Sequence, residues 1–186
     1  MGTSLAILNI PRVNSVVAMP MLEIKDLNKG FGSKSFNTRI EVLKGVNLNI
    51  KKGELVALMG PSGCGKSTLL NIIGGLLPAD SGKIELSNTT EESFEYGTKK
   101  PNKVVDVRRN GVGWIFQDFH LVEHLTALDN VAMALEISGI EQELAEEKAK
   151  AALTTVGLGD RIEFGAEQLS GGQRQRVAVA RAIAGS

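Results

Sequence analysis

A strand, a glycine-rich loop and a helix, read one after another, constrain this chain more than any other stretch. Leu55-Val56-Ala57-Leu58-Met59 is an unbroken apolar run, the pattern of a strand buried on both faces. Gly60-Pro61-Ser62-Gly63-Cys64-Gly65-Lys66-Ser67-Thr68 follows and fits the phosphate-binding pattern G-x-x-x-x-G-K-[ST]. Leu69, Leu70, Ile72, Ile73 and Leu76 then fall on one helical stripe, so the motif stands in the context that gives it meaning. Gly60, Gly63 and Gly65 lack Cβ, which lets the backbone wrap closely and turn its N–H groups inward. The positive end of the following helix points at the same spot. Lys66 supplies a mobile cation for the β- and γ-phosphates, and the Ser67 hydroxyl suits Mg²⁺. A plain glycine turn before a helix is the competing reading, and the flanking strand and helix count against it.

Composition narrows the class. The chain has 186 residues, 42% apolar and 23% charged, with 21 charges of each sign. That is enough for one domain with a sizeable core, and it excludes a disordered chain or a general polyanion-binding surface. The neutral balance argues against nucleic acid as a partner. Cys64 is the single cysteine, so no internal disulfide framework exists and a reducing compartment is expected. No stretch approaches the ~20 apolar residues of a bilayer span. Residues 1 to 20 are expected to form a loose N-terminal extension. Leu5 to Ile10 is apolar but lacks the flanks of a signal peptide. Ala6 stands where myristoylation wants Ser or Thr. Ordered patterning begins at Leu22, with Met19 or Met21 as alternative starts.

Further along, Leu22, Ile24 and Leu27 predict a first strand, broken by Lys29-Gly30-Phe31-Gly32-Ser33. Val46 to Ile50 alternates strictly and predicts a half-exposed strand, and Lys83 to Leu86 another. Residues 87 to 103 are polar and turn-rich and read as a surface excursion, its Asn88-Thr89-Thr90 sequon without meaning in a cytosolic chain. Gly113-Trp114-Ile115-Phe116-Gln117 reads as a buried strand ending on a polar residue. Thr126 and Asp129 stand in capping spacing before a helix that buries Leu128, Val131 and Leu135. A second helix over Glu141 to Val156 carries Ala145, Ala149, Ala152, Leu153 and Val156 on its apolar stripe. Ser170-Gly171-Gly172-Gln173 opens the last helix, in capping-box spacing, with Val177, Ala180, Ile183 and Ala184 as the buried stripe.

Three features now stand in a fixed order: the phosphate loop, Gln117, and Leu169-Ser170-Gly171-Gly172-Gln173 followed by Arg174-Gln175-Arg176. In this combination residues 21 to 186 resemble the nucleotide-binding domain of ATP-binding-cassette (ABC) transporters. The stretches WIFQDFHLVEHLTALDNVAMAL and SGGQRQRVAVARAIA look most like the bacterial group serving lipoprotein release, macrolide export and cell division. The resemblance implies an α/β fold: a P-loop NTPase (RecA-like) core with an antiparallel β subdomain and a helical subdomain, incomplete at the C-terminus. It implies a core of about 21–117 and 171–186, with the helical subdomain at about 118–170. ATP and Mg²⁺ are the implied cofactors.

The resemblance also implies roles. Phe31 matches an aromatic that stacks on adenine, an ordinary loop aromatic being the alternative. Gly60 to Thr68 hold the phosphates, with Lys66 catalytic and Ser67 on the metal. Gln117 matches the residue that reaches Mg²⁺ and the attacking water. Ser170, Gly171, Gly172 and Gln173 match the signature that contacts the γ-phosphate held by the opposite subunit. A second such subunit, giving a homodimer, and a transmembrane permease are the implied partners, and the inner face of the cell membrane the implied place. Phe119, Leu121, Val122 and Leu125 read equally as a permease-facing groove or as core. The family's strand ending in Asp, the Glu after it and a later His have no counterpart within these 186 residues. His120 and His124 do not match that position. The chain is therefore expected to be truncated, with an unpaired apolar edge on Leu55 to Met59, and to bind ATP without an intact cassette's turnover. Two other readings compete: a soluble cassette protein of DNA repair or translation, and a non-hydrolysing nucleotide-binding module.

Overall fold

The computed structural model describes residues 6–10, 20–33, 38–87 and 92–185. The chain divides into two compact units, 1–111 and 112–186, each considered by itself. The first contains β1 (Ala6–Ile10), β2 (Pro20–Phe31), β3 (Ile40–Lys51), β4 (Leu55–Met59), α1 (Lys66–Ile73), β5 (Ser81–Ser87) and β6 (Ser93–Tyr96). Its larger sheet is antiparallel in the order β3-β2-β5-β6. Leu22 lies opposite Leu86 and Ile24 opposite Ile84, and all four are buried. These cross-strand apolar pairs fix the register, because a slip by one residue would turn them to solvent. The alternation in β3 leaves it half-exposed, as its pattern predicts.

Several local expectations change. The Lys29–Ser33 stretch does not break the first strand, which runs on to Phe31 because Gly30 and Phe31 pair with Glu41 and Ile40. The polar stretch 87–103 is more than an excursion: Ser93–Tyr96 forms an edge strand against β5. A single turn over Pro101–Lys103 follows it, and the Asn88 sequon lies outside the described residues. In α1, Leu69 and Ile72 are fully buried but Leu70 is exposed, as is Leu76 beyond the helix end, so the buried stripe is narrower than the periodicity suggests.

The phosphate-loop strand shows the largest difference. β4 is half-buried at its centre and exposed at its ends, Leu55 at 67% and Met59 at 55%. An apolar run buries both faces only when layers cover both, and the one strand paired with β4 among the described residues is β1. That partner comes from the stretch expected to be loose. Ala6–Ile10 runs antiparallel to β4, from Ala6 opposite Met59 to Ile10 opposite Leu55. One edge of β4, expected to be bare, is thereby covered, which removes a template for aggregation.

The second unit holds α2 (Ala127–Ile137), α3 (Gln142–Thr155) and α4 (Gly171–Ile183). Leu128, Val131 and Leu135 of α2, Ala145, Ala149 and Leu153 of α3, and Val177 and Ala180 of α4 share one core with Leu158 and Leu169. The alanines of α3 let the helices approach closely. The apolar stripe of α4 packs among α2 and α3. Ile183, expected in that stripe, is 40% exposed, and Ala178 is buried in its place. Gly113–Gln117 is not a strand. It has no ladder partner among the described residues, and Ile115 is half-exposed. Leu121 packs against the helical core while Val122 is exposed.

Candidate nucleotide site

The phosphate loop has the backbone its glycines predict. Gly60, Gly63 and Gly65 take φ of 152°, 79° and 102°, a region that L side chains enter only at a cost. Gly65 is required twice, since a Cβ there would also meet Val42 Cγ1 at 2.9 Å and Leu43 Cδ2 at 3.0 Å. It is the N-terminal boundary of α1, with no side-chain cap on the helix. The first N–H groups of α1 therefore lack a side-chain acceptor, which suits an incoming anion. Lys66 lies back over the loop, its ammonium donating to Gly60 O at 2.7 Å and Pro61 O at 2.9 Å. Val42, Ser62, Gly63, Gly65, Lys66, Ser67 and Thr68 line a cavity of about 470 Å³, within the range of small-ligand sites. Val42, contributed by β3, is a lining residue the motif does not reveal.

Two distant side chains hold the far end of α1. The Tyr96 hydroxyl donates to Ile73 O, and burial pushes its phenol pKa upward. Arg108 Nη1 donates to Gly75 O at 2.8 Å and to Pro101 O at 2.9 Å. Both satisfy carbonyls that a helix end leaves without partners. Neither residue carries a local sequence signal, because its partner lies far away in the chain.

Cys64 combines an activating position with burial. A thiol at a helix N-terminus beside a lysine should react readily, and Lys66 Nζ does lie 3.7 Å from its Sγ. The side chain is nevertheless buried, 5% exposed, so a reagent reaches it only when the loop opens. We expect slow labelling by a small maleimide in the folded protein, fast labelling in denaturant, and further slowing by MgATP. Equal rates for folded and unfolded protein would contradict the burial.

Phe31 stands at the end of β2, 45% exposed, with Lys29 Nζ 5.5 Å from its ring centroid. Phe31 and the phosphate loop thus share the first unit. Gln117 and the Ser170–Gln173 segment belong to the second. Gln117 is exposed in a turn rather than ending a strand. The loop after it is held by α4: Arg181 donates to His120 O at 2.8 Å and to Phe119 O. Phe119 and His120 both have positive φ, 62° and 47°, which costs energy for residues with a Cβ. The His120 ring stacks on Phe116 at 4.6 Å. At the head of α4, Gln173 N–H donates to Ser170 Oγ at 3.3 Å and Ser170 N–H to Gln173 Oε1 at 2.8 Å. This is the reciprocal capping box its spacing predicts. A Cβ added at Gly171 or Gly172 would meet nothing within 4 Å.

Comparison with known proteins agrees with the geometry. The profile of the family described as ABC transporter matches residues 43–186. The lipoprotein-releasing system ATP-binding protein LolD of Geobacter metallireducens is 43% identical over 163 residues, 88% of this chain and 69% of that protein. The macrolide export ATP-binding/permease protein MacB of Shigella sonnei is 42% identical over 164 residues; the match spans 88% of this chain and 24% of MacB. Among solved structures, the ATP-binding cassette MJ0796, a dimer bound to ADP and Pi in a post-hydrolysis state, superposes with a TM-score of 0.72. It is 35% identical, and the match covers 89% of this chain and 70% of that one.

Proposed function

The chain belongs to the ABC transporter family, and we propose that it is the subunit that binds MgATP, in a head-to-tail pair of copies, to drive a membrane permease. The observation that carries this reading is the pair of glycines heading α4. Glycine is a poorer helix former than alanine, yet the fold itself leaves room for side chains at Gly171 and Gly172. Their cost is understood if something outside the subunit must approach the helix N-terminus closely. A phosphate held by the phosphate loop of a second copy fits, because a helix N-terminus is an anion site.

Within one copy, the loop N–H groups and Lys66 bind the β- and γ-phosphates, and Phe31 offers a face to the base. Ser67 is a residue that would hold Mg²⁺, whose charge would offset that of the phosphates, and by the resemblance alone Gln117 matches a position that reaches the ion. Among the described residues no group of three His, Cys, Asp or Glu could cage a metal. An ion entering as MgATP would keep most of its ligands from phosphate and water. By the resemblance, Gln117 is the residue that would reach the attacking water. The relatives' roles, lipoprotein release and macrolide export, support a permease partner and a place on the inner face of the membrane. No helix among the described residues is long and apolar enough to cross a membrane.

Mass measurement in solution tests the pairing. With a slowly hydrolysed ATP analogue and Mg²⁺, the 19.8 kDa chain should double its mass, and Gly171→Leu should stay single while keeping its unfolding temperature. A native chain that stays single at saturating nucleotide would overturn the proposal, as would normal pairing by Gly171→Leu.

A further inference from the structure

Asp80 precedes β5, and its carboxylate reaches back to the end of β2. Gly30 N–H donates to Oδ2 at 2.7 Å, Lys29 Nζ to Oδ1 at 3.1 Å, and Arg39 Nη2 to Oδ2. Asp80 N–H itself donates to Asn28 O at 2.9 Å, so backbone and side chain both tie this residue to β2. Arg39 is in turn paired with Glu41. Lys29 is only 8% exposed, an unusual burial for an ammonium and one that requires a partner. The same ammonium lies over the Phe31 ring, which is itself exposed. A carboxylate therefore fixes a cation, and the cation fixes an aromatic ring.

We propose that Asp80 is a positioning residue for the nucleotide base: through Lys29 and the Gly30 N–H it locks Phe31 as a stacking platform. This rests on the reading of Phe31 as the base-binding aromatic. Two physical effects follow. A ring held during folding does not have to be ordered on binding, so less of the stacking energy is lost to entropy. A cation on the ring draws π-electron density toward itself, and the free face becomes a better partner for an electron-rich purine. The clamp is stable across the neutral range. Burial pushes the Asp80 pKa up, but the Gly30 N–H, Arg39 and Lys29 outweigh that and hold it at about 2. The depressed value means that this ion cluster is fully formed above the ordinary carboxylate range and is lost only as pH falls toward 2.

The test compares MgATP with inorganic tripolyphosphate, which carries the phosphates without the base, by calorimetry on the intact chain. Asp80→Asn should weaken MgATP binding by about 5- to 50-fold, the scale of one lost stacking contact. Tripolyphosphate binding should stay within about twofold, since no phosphate contact changes. Asp80→Glu, which keeps the charge, should recover part of the loss. Lys29→Met keeps the stem and removes the ammonium; it should reproduce the selective loss, and it decides the matter if Asp80→Asn does not fold. Equal changes for both ligands, or a change for neither, would overturn the positioning role while leaving nucleotide binding intact. A native chain that binds tripolyphosphate as tightly as MgATP would remove the base platform itself, and the proposal with it.

Discussion

Lys66→Ala should abolish measurable nucleotide binding while leaving the fold in place. In the structure the ammonium is held by two loop carbonyls, Gly60 O and Pro61 O. These contacts keep the cation over the loop, where an arriving triphosphate can take it. Charge-assisted hydrogen bonds are worth about 1.5–3 kcal/mol each, and a lysine shared between two phosphate groups makes two. The loss is then roughly 3–6 kcal/mol, or about 10²–10⁴ in affinity. The substitution leaves no buried charge and keeps a good helix former at the first position of α1, so thermal stability should change little. Equilibrium dialysis with labelled ATP checks the affinity, and a melting curve checks the fold. Binding within threefold of the native chain, with a normal melt, would remove the loop from the nucleotide site. Lys66→Arg is a useful companion. It keeps the charge but replaces a compact ammonium with a planar fork, and it should rescue little if the loop grips a point charge.

The features that could be read from sequence are those whose causes are local. Glycine positions and the helix after them define the phosphate loop within a few residues, and its positive φ values follow. Both capping boxes, Thr126 with Asp129 and Ser170 with Gln173, depend on a three-residue spacing and form as expected. Where the cause is a distant partner, the reading fails. Leu55–Met59 looks like a doubly covered strand, but burial depends on its neighbours, and here the neighbour is Ala6–Ile10. Gly113–Gln117 has strand composition without a ladder. Lys29 and Gly30 suggest a break, but pairing with β3 and the grip of Asp80 hold them in line. Asp80 itself looks like a turn residue, since nothing local marks its ties to Lys29 and Arg39. In the site, the phosphate loop was fully legible. The residues that steady it and its surroundings (Val42, Tyr96, Arg108) were not, because each acts on a backbone or cavity far from its own position.

Asn130 combines both aspects, and Asn130→Asp should be the most destabilising near-isosteric change in the second unit. The side chain is 1% exposed and lies where α2 meets the loop that follows Gln117. Its Oδ1 accepts from Val122 N–H at 2.7 Å. Its Nδ2 donates to Val122 O at 3.1 Å, Leu125 O at 3.3 Å and Thr126 O at 2.9 Å. One amide thus closes the turn that brings the chain into α2 and satisfies backbone groups that would otherwise be buried without partners. A carboxylate has the same shape but only accepts. It would place negative charge against three carbonyl oxygens, with a single N–H in support. An uncompensated buried charge costs roughly 3–5 kcal/mol, a large part of the stability of a small unit. Urea unfolding followed through Trp114, the single tryptophan, reports on this unit directly. The sign of the pH dependence is fixed. Burial and the facing carbonyls raise the pKa of the introduced carboxyl, and its neutral form regains a donor. The stability deficit should therefore be full above that raised pKa and shrink as pH falls through it. A deficit under about 1 kcal/mol, within the range of an ordinary hydrogen-bond change, or one that grows on acidification, would show that Asn130 does not hold this loop.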